Sequence, residues 1–99
     1  MLTQQYILNE LRTQMPLLRS MYFVSDIALF GSFARNEATE GSDIDFLVQL
    51  NPPLEKYLET KEALRVYLSK LFHRNIDLAN PRSLKPHYKE IILKQAVHA

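Results

Sequence analysis

An α/β fold, a small sheet flanked by helices, is the class this sequence predicts, and three observations predict it. Apolar residues recur at helical spacing over residues 2–15, 54–72 and 85–97. A clean period-two alternation occupies Asp43–Leu50. Two further short apolar runs, Val24–Phe30 and Asn75–Ala79, fall between the helical stretches, so strands alternate with helices along the chain.

In the first stretch Ile7, Leu11 and Met15 stand four apart, with Leu8 and Leu18 on the same side, which predicts an amphipathic helix. Pro16 is expected to interrupt it, because an interior proline removes a hydrogen bond and clashes with the preceding turn. The same proline could instead open a second short helix, PLLRSMY. Val24–Phe30 (VSDIALF) reads as a strand ending at Gly31, and Ser32–Arg35 as a helical turn. In the alternating strand Ile44, Phe46, Val48 and Leu50 face one way, and Asp43, Asp45, Leu47 and Gln49 the other. Asn51-Pro52-Pro53 stops that strand, since proline cannot donate to a ladder. A long helix follows, with Leu54, Leu58, Leu64, Leu68 and Leu71 as its expected inner stripe. Asn75–Ala79 is a third strand, and Lys85–Val97 a last helix with Ile91, Ile92 and Val97 apolar.

Composition narrows the possibilities. Nothing divides the chain into repeats or linkers, so residues 1–99 read as one domain. No cysteine is present, which excludes disulfides and thiolate metal sites. An apolar fraction of 46% with 23% charged residues is that of a soluble globular protein. No apolar run approaches the roughly 20 residues of a membrane span. The N-terminal MLTQQYILNELRTQ lacks the basic-then-apolar order of a signal peptide, so a cytoplasmic protein is expected. A formal charge of +1 and the lack of a basic stretch studded with aromatics argue against direct nucleic-acid binding. The tail does carry Arg82, Lys85, Lys89 and Lys94 against Glu90 alone. That reads as a solvated helix face, with contact to an anionic ligand, for instance Lys85 on a phosphate, as the alternative. His73, His87 and His98 have no metal-ligand spacing. Tyr57, Tyr67 and Tyr88 read as half-buried packing residues.

The chemistry concentrates in GSFARNEATEGSDID, bracketed by the chain's two glycines, Gly31 and Gly41. Glycine serves where the backbone needs positive φ or a close approach. Gly31-Ser32 follows an apolar strand and starts a turn, where free N–H groups and a hydroxyl can cradle phosphate. A plain tight turn would look the same. Residues two apart on a strand share a face, with Cα atoms roughly 6.6 Å apart, so Asp43 and Asp45 present paired carboxylates. Like charges that close destabilise a fold unless a cation or hydrogen bonds offset them. Magnesium takes carboxylate oxygens and keeps positions open for substrate phosphates. Asp77 faces opposite to Ile76 and Leu78 and would meet the same cluster if its strand lies beside Asp43–Leu50.

Gly31-Ser32, Ala34-Arg35, Glu37 and Ser42-Asp43-Ile44-Asp45, followed by Phe46-Leu47-Val48, resemble the signature of the nucleotidyltransferase superfamily. More narrowly, they resemble the minimal nucleotidyltransferases, commonly the antitoxins of HEPN-type toxin pairs. The resemblance implies a nucleotidyltransferase fold with a small mixed sheet. It implies that Gly31, Ser32, Ser42 and Arg35 bind ATP, and that Asp43 and Asp45 ligate two magnesium ions. Asp77 would complete the cluster and take the proton of the acceptor hydroxyl. Where the family usually has a glycine after the arginine, this chain has Asn36, a residue that tolerates the left-handed region and can keep the loop's shape.

Larger nucleotidyltransferases of this kind carry a further helical domain at the acceptor site, whereas only about 14 residues follow Lys85 here. A partner is therefore expected to close the site. In the resembled pairs the acceptor is a tyrosine of the toxin, which points to an antitoxin that adenylylates its partner. Two other readings stand beside it: a binding-only antitoxin, and the catalytic subunit of a small-molecule (antibiotic-type) nucleotidyltransferase. So small a domain with an exposed site also leaves self-association open.

Overall fold

The first helix, α1 (Gln4–Tyr22), begins where the Thr3 hydroxyl accepts the Tyr6 amide at 3.2 Å, satisfying one of the donors a helix start leaves free. The structure, a computed structural model, describes residues 2–99. Contrary to expectation, α1 runs unbroken through Pro16. Pro16 and the residue four before it, Arg12, both lie on the exposed face, where water can serve the carbonyl that proline leaves unbonded. Ile7, Leu8 and Leu11 before it and Leu18 after it are buried. Each such burial stabilises by about 1.5–3 kcal/mol, enough together to outweigh the proline's cost of about 3 kcal/mol.

Phe23 ends α1 in the left-handed conformation, at φ 57°, and the chain enters β1 (Val24–Phe30). A single helical turn, α2 (Gly31–Ala34), leads into the loop before β2 (Ile44–Leu50). A 3-10 turn over Leu54–Lys56 then opens α3 (Tyr57–Phe72), which returns the chain to β3 (Ile76–Ala79). Another 3-10 turn, Pro81–Ser83, precedes α4 (Pro86–Gln95) and β4 (Val97–His98). The four strands form one mixed sheet in the order β3-β2-β1-β4, with β2–β3 parallel and the other two pairs antiparallel. As the alternation predicts, Ile44, Phe46, Val48 and Leu50 are all buried; they join Leu11, Leu18, Leu64 and Leu68 in one core. Phe46 and Phe72 meet there with ring centroids 6.1 Å apart. Leu47 faces the other way but is also buried, in register between Ala28 and Ala79.

Two helix readings need correction. Leu54 and Leu58 are 88% and 78% exposed, so they are not part of the α3 stripe, which consists of Leu64, Leu68 and Phe72 with Leu71 partly covered. At 3.6 residues per turn, Leu58 and Leu64 point about 120° apart, so one buried face cannot hold both. Val97 belongs not to the last helix but to β4, opposite Leu29, after Ala96 turns extended. The otherwise open edge of β1 supplies the backbone partners for it. α4 buries none of its side chains fully, and Ile91 and Tyr88 are 54% and 55% exposed, so Tyr88 is not the packing residue expected. Tyr67 is: its hydroxyl donates to Gln14 at 2.6 Å and its ring lies 5.4 Å from that of Tyr22. The Tyr57 hydroxyl accepts from Asn80 at 2.8 Å. No helix among the described residues is long and apolar enough to cross a membrane.

Candidate active site

Gly31 stands at the exit of β1 with φ +71°, a conformation that side chains with a Cβ rarely adopt. A Cβ there would overlap Oδ2 of Asp45 and stand 3.0 Å from its carboxyl carbon. Both reasons for a glycine therefore hold at this position, and the carboxylate lies against the backbone where α2 begins. At Gly41 neither holds: φ is not positive, and a Cβ would meet nothing within 4 Å.

The register of the sheet assembles the acids. Asp45 pairs with Phe30 across the antiparallel ladder and with Asp77 across the parallel one, so Asp45 and Asp77 are neighbours on the same face. Burial, first, and then the charges of Asp77 and Asp43 push the Asp45 carboxyl above the ordinary aspartate range; Arg35 opposes the shift, and hydrogen-bond contact with Asp77 adds to it. Asp43 lies one residue before β2, exposed in the connecting segment rather than inside the strand. Among the described residues, no three acidic or imidazole side chains close around one point. Magnesium needs no such enclosure, because one or two carboxylates with water and substrate phosphates complete its shell. Hard oxygen donors, one of them a carboxyl that its acidic neighbours make harder to ionise without a cation, fit that ion.

The other expected ligands are less free. Arg35 donates from Nε to Glu37 at 3.1 Å and from Nη1 to Gln95 of α4 at 3.4 Å, which ties the loop to the last helix. The Ser42 hydroxyl accepts the Thr39 amide at 2.9 Å and so closes the turn ahead of Asp43. Ser32 is half-buried, and its carbonyl accepts the Glu37 amide at 2.8 Å. Lys85 is an exposed residue at the start of α4. Asn36 does occupy the left-handed region, at φ 58°, as its replacement of glycine requires. We expect Asn36→Gly to change the melting temperature by no more than a few degrees, whereas Asn36→Val, strained at positive φ, should cost about 1–2 kcal/mol; thermal denaturation checks both.

Sequence reasoning missed two residues that shape this region. The Gln4 amide donates to the Ala34 carbonyl at 2.9 Å, so α1 caps the end of α2. Arg74 donates to the Thr39 and Ser42 carbonyls at 3.2 and 2.9 Å and borders a polar cavity of about 350 Å³ that also touches Asp43, Ser69 and Asn75. Neither sits in a motif, and a lone arginine before a strand gives no signal.

The fold is an α/β one, a four-stranded mixed sheet that brings Asp45 and Asp77 beside the glycine–serine turn. Residues 7–98 match the family model described as the nucleotidyltransferase domain, and the chain belongs to that family. It is 36% identical over 100 residues to the protein adenylyltransferase MntA of Thermococcus cleftensis, an alignment covering 99% of this chain and 97% of that one. It is 37% identical over 103 residues to a protein of Methanocaldococcus jannaschii provisionally named a protein adenylyltransferase, with 99% of each chain covered. A solved structure provisionally named a minimal nucleotidyltransferase superposes with a TM-score of 0.79 at 26% identity, over 97% of this chain and 95% of that one. A toxin–antitoxin crystal structure with AMP-PNP shares the fold, with a TM-score of 0.64 at 24% identity over 98% of this chain and 72% of that one. The chain is thus a nucleotidyltransferase of the minimal, single-sheet kind, similar to enzymes named protein adenylyltransferases.

Proposed function

We propose that this protein transfers AMP from ATP to a hydroxyl, a tyrosine of a HEPN-type partner toxin, and acts as that toxin's antitoxin. The observation that carries the reading is the packing of Asp45 against Gly31 with Asp77 in register beside it, which sets the carboxylates at the mouth of the Gly31-Ser32 turn. The names of the relatives and the AMP-PNP in the toxin–antitoxin neighbour support the choice of nucleotide and of partner.

Ser32 and the backbone of the turn hold the β- and γ-phosphates, and Arg35 adds positive charge nearby. Ser42 contributes through the turn that delivers Asp43, its hydroxyl being engaged by Thr39. Asp43 and Asp45, with Asp77, hold the metal. Two magnesium ions, when bound, neutralise the phosphate oxygens and align the acceptor with the leaving group. The acceptor oxygen attacks the α-phosphorus, its proton passes to the Asp77 carboxylate, and the bond to the bridging oxygen breaks, releasing pyrophosphate. Positioning and charge neutralisation supply most of the rate in such a reaction.

The test uses ATP labelled at the α-phosphate, magnesium, this protein and the product of the adjacent gene. Label is expected on a tyrosine of that product, and is expected to disappear with Asp43→Asn. A tight complex that forms without ATP, with no label transferred, would establish a binding-only antitoxin instead.

A further inference from the structure

Asp43 is exposed in the segment before β2, yet the peptide units on both sides of it are fixed from one place. The Arg74 guanidinium donates through Nη1 to the Ser42 carbonyl at 2.9 Å and to the Thr39 carbonyl at 3.2 Å. On the other side, the Ile44 amide donates to the Asn75 carbonyl at 3.0 Å. Residues 74 and 75 therefore hold the carbonyl before Asp43 and the amide after it, and Asp77 follows them in β3.

Arg74 is held in its turn. Its carbonyl accepts the Ser69 hydroxyl at 2.8 Å, and its guanidinium carbon lies 5.8 Å from the centre of the Phe33 ring, within the range of a cation–π contact. Phe33 is buried in α2, the turn that contains Ser32. One side chain thus joins three pieces that the sequence places far apart: the turn of Ser32, the segment of Asp43 and the strand of Asp77. Among the described residues, no other side chain from outside the connection between α2 and β2 donates a hydrogen bond to it.

We infer that Arg74 is a positioning residue for the divalent-metal site, setting the Asp43 carboxylate at the distance from Asp45 at which the two can share a cation. The inference rests on the metal-dependent reading proposed above. Groups that orient metal ligands without touching the metal typically change its affinity about 10–100-fold when removed.

The test measures Mn²⁺ binding, from the electron paramagnetic resonance signal of free Mn²⁺, in the presence of a non-hydrolysable ATP analogue. Wild type, Arg74→Met, Arg74→Lys and Asp43→Asn are compared, with a thermal melt of each. Arg74→Met keeps the apolar stem and removes the donors; it is expected to stay folded and to bind Mn²⁺ about 10–100-fold more weakly. Arg74→Lys keeps a donor within reach of the carbonyls and is expected to recover most of that loss. If Arg74→Met does not fold, Arg74→Leu, which likewise carries no donor, is expected to show the same loss. Wild-type affinity in a folded Arg74→Met or Arg74→Leu protein, whatever its melting temperature, overturns the inference and leaves the arginine a loop fastener. A wild type that binds Mn²⁺ no better than Asp43→Asn overturns the reading of the site itself, and this inference with it.

Discussion

Asp45→Asn is expected to abolish AMP transfer, by about 10³-fold or more, while making the metal-free protein more resistant to heat. The loss follows from removing a carboxylate at the point where charge must be offset in the transition state, the type of change that costs about 10²–10³-fold even for a neutral donor. The gain follows from the electrostatics of the three carboxylates. Burial and the neighbouring Asp77 and Asp43 hold the Asp45 carboxyl above its ordinary range, so the folded state binds its proton more tightly than the unfolded chain does. Below the unfolded-state pKa both states are protonated and there is no penalty. The penalty sets in as pH rises above the unfolded-state pKa and is complete above the raised folded-state pKa. Asp45→Asn should therefore melt above wild type at neutral pH without magnesium, and the gap should close as pH falls into the aspartate range. Magnesium is expected to raise the wild-type melting temperature and leave that of the variant nearly unmoved. Calorimetry over a pH series measures all of this, and a variant less stable than metal-free wild type at neutral pH would contradict the electrostatic account.

Gly31→Ala is expected to damage both stability and activity, for two separable reasons. Position 31 has φ +71°, where a residue with a Cβ costs about 1–2 kcal/mol. The new Cβ would also overlap the Asp45 carboxylate, and forced displacement of that kind typically costs another 1–3 kcal/mol, roughly. A total of about 2–5 kcal/mol corresponds to a fall of about 8–40 °C in a domain of this size. AMP transfer should drop about 10²-fold even below the melting range, because Asp45 is moved from its place beside Asp77. Gly41→Ala is the control. With no neighbour within 4 Å and no positive φ, it should change stability by about 0.5 kcal/mol at most. Equal effects of the two substitutions would remove the claim that Gly31 is needed for the approach of Asp45.

How much of this could be read beforehand differs from element to element. The alternation of Ile44, Phe46, Val48 and Leu50 identified β2 and its buried face, since a strand with one apolar face can be buried only one way. The end of β1 at Gly31, the short β3 and the family itself were equally legible, because glycine, aspartate and proline there act through local backbone chemistry. Asn36 at positive φ belongs to the same class.

Other features depended on contacts between distant parts of the chain. Pro16 stays inside α1 because the core on either side of it outweighs a local preference. Leu54 and Leu58 stand four apart from each other but off the face that meets the sheet, which is set by Leu64, Leu68 and Phe72. β4 is too short to carry a periodic signal and exists because β1 offers it an open edge. The sequence by itself determined the class of fold and the family, and it offered Asp43 and Asp45 as candidate ligands. The tertiary structure alone put Asp77 level with Asp45 and Arg74 across the segment of Asp43. The reason is physical: strand register and a hydrogen bond from a long side chain are fixed by packing between segments some thirty residues apart, and local propensity carries no record of them.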